Sequence, residues 1–76
     1  MPQQNQPVRV RFILNNLEPF IAELKEFTGR ELLRALNRAG LYDRDITYDL
    51  QRRTGTVWKW GEMYHGEFHV IRGGGV

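Results

Sequence analysis

The chain has 76 residues, 41% hydrophobic and 26% charged, with a formal net charge of +2. This is the size of one domain, with a marginal core because short chains bury a small share of their surface. The absence of cysteine excludes a disulfide framework, a thiol nucleophile and a cysteine zinc site. Nine arginines interleave with acids instead of forming the concentrated basic face of a nucleic-acid module, so no nucleic-acid partner is expected.

Taken in chain order, Met1 to Pro7 holds two prolines and three glutamines and reads as a disordered lead-in. Val8 to Leu14 alternates: Val8, Val10, Phe12 and Leu14 on one face, Arg9, Arg11 and Ile13 on the other. A period of two predicts a strand with one buried face. Asn15-Asn16 is a turn signal, because asparagine tolerates the left-handed region. A second strand is expected over Leu17 to Lys25, at a sheet edge or with a bulge, since Pro19 cannot donate to a ladder.

Thr28-Gly29-Arg30-Glu31 fits a capping box, with Thr28 as N-cap and Glu31 three residues on. Phe27 can staple onto Leu32. Leu32, Leu33, Leu36 and Ala39 form an apolar stripe at helical spacing. Gly40 fits the position after the C-cap, with Leu41 folding back as in a Schellman ending. The start and stop signals predict a helix of roughly three turns. Arg30, Arg34 and Arg38 recur every four residues as an exposed stripe, a solvated face supported by pairs such as Glu31 with Arg34 or, in the sharper reading, a docking stripe.

After a polar connection from Tyr42 to Asp45, the alternation of Ile46, Tyr48 and Leu50 with Thr47, Asp49 and Gln51 predicts a third strand. Arg53-Thr54-Gly55 reads as a turn and Thr56 to Trp60 as a fourth strand, with Trp58 and Trp60 on one face, as core or edge cover or as a contact surface. Gly61 to Gly66 reads as a loop, with His65 at its surface. Phe68 to Arg72 is the last strand, Phe68 and Val70 facing the core. Gly73-Gly74-Gly75-Val76 is expected to be a flexible tail, since three glycines lose too much entropy on ordering.

This order of elements resembles the β-grasp fold of ubiquitin and its relatives. The segment Phe68-His69-Val70-Ile71-Arg72-Gly73-Gly74 is similar to the last strand and Arg-Gly-Gly tail of ubiquitin-like modifiers. Phe27-Thr28-Gly29-Arg30-Glu31-Leu32-Leu33, with Ala39-Gly40-Leu41 after it, is similar to the helix of bacterial multi-ubiquitin-type domains. The resemblance covers about residues 8 to 75. It implies an α+β fold, a ubiquitin-like β-grasp domain over 8–72 with a mixed four- to five-stranded sheet wrapped on one helix.

It also implies a bacterial protein modifier. An E1-like activating enzyme would adenylate the terminal carboxylate and take it onto a cysteine. An E2-like conjugating enzyme would pass it to a target protein, where it forms an isopeptide bond. The conjugation tail is Arg72, Gly73, Gly74 and Gly75. Glycine suits a tail that threads a narrow channel, and four extended residues reach about 13 Å at roughly 3.3 Å each. Val76 departs from the pattern of modifiers that end on glycine. A deconjugating or processing peptidase is therefore expected to remove Val76, alone or together with Gly75. Relatives of this kind accompany such enzymes in bacteria, some in antiviral defence.

The alternatives are a sulfur carrier of the molybdopterin- or thiamine-synthesis type, bearing a terminal thiocarboxylate, and a non-covalent β-grasp adaptor, since fold does not fix function. With one helix, the sheet has an open face carrying Ile13, His69 and Ile71, with Arg9 and Arg11 nearby. In ubiquitin relatives that face is the docking patch; otherwise these are scattered surface residues.

No catalytic set or phosphate loop marks an enzyme, and no cofactor is implied. His65 and His69 lie four apart, a metal spacing only on a helix, and no metal is expected. Asp43, Asp45 and Asp49 lack the glycine and closing Glu of a calcium loop. No apolar run nears the roughly 18 residues of a membrane span and no leader pattern is visible, so a cytoplasmic protein without a membrane partner is expected.

Overall fold

The computed structural model describes residues 7–49, 51–60 and 63–72, the last by its backbone. The elements are β1 (Val8–Leu14), β2 (Phe20–Leu24), α1 (Gly29–Arg38), β3 (Arg44–Asp49), β4 (Thr54–Lys59) and β5 (Met63–Arg72). The strands form one five-stranded sheet in the order β2-β1-β5-β4-β3, and the fold is α+β. β2 lies at an edge and begins just after Pro19, where the missing N–H costs no ladder bond.

Every pairing is antiparallel, which corrects the expected mixed sheet. Tight connections join only antiparallel strands; a parallel pair needs a crossover of a dozen or more residues. The one long crossover here is α1, and it links β2 to β3 at opposite edges of the sheet. From β3 onward two short hairpins alternate the direction, so β5 returns against β1, with Arg72 beside Arg9 and Gly66 beside Leu14. A β-grasp-like helix on a sheet remains, without the mixed pairing that the resemblance implies.

The helix begins as its capping residues dictate. Thr28 is extended and its Oγ1 accepts from the Glu31 N–H at 3.2 Å. The Glu31 carboxylate meets Arg34 at 3.6 Å, and the Thr28 N–H donates to Glu26 O at 3.1 Å. At the other end Gly40 has φ +86°. Leu41 N–H donates to Leu36 O and Gly40 N–H to Asn37 O, both at 2.9 Å, which is the Schellman pair. The buried stripe is Leu32, Ala35 and Leu36, with Leu33 half-buried. Ala39, the C-cap, is exposed, because the stripe runs i, i+3, i+4 from Leu32 and the helix ends before another inward position.

The core joins that stripe to Val8, Val10, Phe12, Leu14, Leu24, Val57 and Phe68. Each such side chain contributes about 1.5–3 kcal/mol by burial. Aromatic rings cross the sheet under the helix in a continuous chain. Phe20 stacks on Phe12 at 5.1 Å between centroids, Phe12 meets Phe68 at 5.6 Å, Phe68 meets Phe27 at 6.3 Å, and Phe27 meets Tyr48 at 5.4 Å. Phe27 thus completes the core beside its role before the helix cap. Gly55 makes room for this chain: a Cβ there would stand 2.2 Å from the Phe68 ring and 2.4 Å from Thr47 O.

Several boundaries differ from the sequence expectation: β2 is confined to Phe20–Leu24, and β3 begins at Arg44, within the expected polar connection. The turn after β3 lies before Thr54, because Asp49 Oδ1 accepts from the Gln51 and Arg52 N–H groups at 2.9 and 3.1 Å, an Asx turn. Trp60 falls outside β4, at φ +50°. β5 begins at Met63 and replaces most of the expected loop.

Candidate functional site

The face of the sheet away from α1 carries the predicted docking residues. Pairing sets Ile21 opposite Arg11, Arg11 opposite His69, and His69 opposite Thr54. The next row holds Ile13, Glu67, Thr56 and Thr47. Arg11, Ile13 and His69 therefore adjoin on this face. Ile71 lies further along β5, where a register shift beside Arg9 and Val10 leaves it without a direct partner on β1. Ile13 is 40% and Ile71 48% exposed. Glu67 approaches His69 at 3.7 Å, and Arg9 is tied to Glu23 at 3.2 Å. Arg11 makes no ion pair among the described residues. The patch combines aliphatic side chains with one uncommitted guanidinium.

Trp58 borders this face. Its ring meets Tyr64 edge-on at 6.2 Å, and its Nε1–H donates to Thr47 Oγ1 at 3.2 Å. Trp60 was expected on one strand face with Trp58; instead it lies in the turn after β4, 67% exposed, with Lys59 Nζ 5.5 Å from its ring centroid. A non-glycine residue at φ +50° leaves the strand conformation and ends the period of two.

Of the conjugation tail, Arg72 is the last strand residue and its backbone pairs with Arg9. Gly73, Gly74, Gly75 and the Gly75–Val76 junction lie outside the described residues, as do residues 1–6 of the expected lead-in. The strand that leads into the glycines is internal to the sheet, held by β1 on one side and β4 on the other. A hollow of about 550 Å³ at that end is lined by Pro7, Glu23, Leu24, Lys25 and Glu26.

His65 is the largest departure. It was expected at a loop surface and is 5% exposed. β5 carries an extra residue where Val57 pairs with Gly66 but Trp58 with Tyr64. That bulge inverts the alternation, so Tyr64 turns outward with Trp58 and His65 is buried. Gly66 sits at the bulge because a Cβ there would stand 2.3 Å from Ile13 O. A glycine inside a strand-like run is the signal that would have found it. His65 Nδ1 accepts from Arg44 Nε at 3.2 Å. Burial first, then the charges of Arg44 and Lys59, hold its pKa below the ordinary 6.5.

His65 and His69 thus serve different surroundings and do not converge. Among the described residues no group of three His, Asp or Glu side chains is placed to hold a metal. Arg30, Arg34 and Arg38 are exposed, Arg34 paired with Glu31. Asp43, Asp45 and Asp49 are exposed as expected, Asp49 spent on its turn. Among the described residues no helix is long and apolar enough to cross a membrane. Comparison with known proteins found no matching family model, no matching curated protein and no matching solved structure.

Proposed function

We propose that the chain is a bacterial ubiquitin-like modifier of the cytoplasm, activated at a glycine after residue 72 and joined to a target protein. An activating enzyme adenylates the glycine carboxylate, and a conjugating enzyme transfers it to an amine, after a peptidase removes Val76. The observation that carries this reading is β5: a central strand, paired with β4 as far as His69 and with β1 as far as Arg72, that is followed directly in sequence by Gly73-Gly74-Gly75. A segment of this kind presents a narrow backbone from a rigid base. The patch of Arg11, Ile13, His69 and Ile71 gives the enzymes a surface to grip, and adenylation needs no catalytic residue from the modifier.

The test is purification of an amino-terminally tagged chain from its source cells under denaturing conditions, with tryptic mass spectrometry. Trypsin cuts after Arg72, so a conjugate leaves Gly-Gly-Gly on the acceptor amine when Val76 alone has been removed. That remnant is expected, and deletion of residues 73–76 should erase it. A chain found free of adducts, with Val76 retained, overturns the proposal.

A second reading is a non-covalent adaptor, favoured by the antiparallel β1–β5 pairing, which departs from the mixed sheet of the modifiers. An adaptor binds through the open face and keeps its partner when residues 73–76 are deleted.

A further inference from the structure

The sheet end opposite the glycine run gathers positive charge. Arg44 opens β3, Lys59 closes β4, and the register places them directly opposite one another, an arrangement that destabilises a bare strand pair. His65 lies against them. Because its Nδ1 accepts from Arg44, its proton sits on Nε2; the backbone of Asn15, at the rim of the same recess, also hydrogen-bonds the ring, so an anion would share or replace that contact. Arg44 Nη1 also donates to Tyr42 O, which fixes the guanidinium, and the Trp60 ring holds the Lys59 ammonium nearby.

These groups line a recess of about 390 Å³ together with Asn15, Leu17, Leu41 and Met63. No carboxylate is among the described residues that line it. The fold thus holds two cations and a buried imidazole around open space without a described counter-charge. Arg44 and Lys59 are half-buried, and two like charges directly opposite on paired strands repel until a group of opposite sign sits between them.

We propose that this recess is an oxyanion site that takes a phosphate group, held by the Arg44 guanidinium, the Lys59 ammonium and the His65 imidazole N–H. Donors of three different geometries suit the several oxygens of a phosphate, and charge-assisted bonds are the strong ones. The apolar walls of Leu17, Leu41 and Met63 suit an organic group esterified to it. The site is independent of the glycine run and of the outer-face patch.

The test is an NMR titration of the full chain at constant ionic strength, with inorganic phosphate in one arm and phenyl phosphate in the other. Saturable shifts confined to residues 15–17, 41–44, 59 and 63–65 are expected, with the His65 pKa rising as the anion binds. Tighter binding of phenyl phosphate assigns the site to a phosphate ester; equal binding assigns it to the free ion. Lys59→Gln, on an exposed hairpin end, should weaken binding about tenfold, as loss of one charge-assisted bond does, with Arg44→Gln as a second variant. Shifts that grow linearly and spread equally to Arg30, Arg34 and Arg38, or unchanged affinity in a folded Lys59→Gln chain, would overturn the assignment.

Discussion

On the helix-facing side of the sheet, Val8, Val10, Phe12, Val57 and Phe68 are fully buried, and a chain of touching rings runs from β2 to β3. On the other side the same strands set Arg9, Arg11, Ile13, Ile21 and Ile71 in solvent. Alternate residues of single strands therefore answer to opposite demands. Inside, shape is fixed to fractions of an ångström; outside, a side chain is free to be selected for a partner. Substitutions that break this contrast should separate widely in their effect on stability.

The largest effect belongs to Phe68, which links both halves of the ring chain. Phe68→Ala should cost about 3–5 kcal/mol, the range for emptying a large aromatic site, and in a domain of this size it should leave the chain largely unfolded by urea titration or near-ultraviolet circular dichroism. A variant as stable as the parent would mean that the rings do not form the core. Gly55→Ala tests the same region from the opposite side. Its methyl would collide with the Phe68 ring and with the backbone at Thr47, and overpacking of this kind costs about 1–3 kcal/mol. An unchanged unfolding midpoint would show that the ring can withdraw.

These inner positions were also the legible ones. Alternation in Val8–Leu14 and the Thr28 and Gly40 caps depend on local chemistry, and local chemistry is written in adjacent residues. The outward placement of Arg11, Ile13 and His69 followed from the same period. What was not legible depended on one extra residue. The bulge at Gly66 reversed the parity of Tyr64 and His65, and the left-handed Trp60 ended a strand that its composition would have continued. Strand direction was hidden for another reason: alternation says which face a residue takes and nothing about which neighbour its strand will oppose. The glycine run enters the proposal by its composition, as it lies outside the described residues, and β5 supplies the structural half.

His65 offers a smaller, pH-resolved effect. Its pKa is held below 6.5 in the folded chain by burial and by Arg44 and Lys59, whereas the unfolded chain titrates near the ordinary value of about 6.5. The unfolded state therefore takes up the proton first. The contribution to stability is present in full above the unfolded value and is lost as pH falls through it towards the folded one. Unfolding followed from about pH 7.5 to 5.5 in a phosphate-free buffer should show this decline, and His65→Asn, which keeps an acceptor for Arg44, should flatten it. An identical slope in the variant would place the titration elsewhere.

The smallest effect on stability sharpens the contrast most. Val70 and Ile71 are neighbours on β5, yet Val70 packs against the core cluster and Ile71 is exposed on the open face. Val70→Asp puts a carboxylate against that core and should destabilise strongly, because a charge without a partner cannot be accommodated there. Ile71→Asp should shift the unfolding free energy by under about 0.5 kcal/mol, as surface changes do. It places a negative charge and removes an aliphatic side chain on the face shared with Arg11 and Ile13, so it should abolish binding of whatever partner uses that patch. Affinity retained by a folded Ile71→Asp chain would reject the patch while leaving the fold intact. Loss of folding in that variant would instead place Ile71 in the core and remove the distinction between the two faces at this strand.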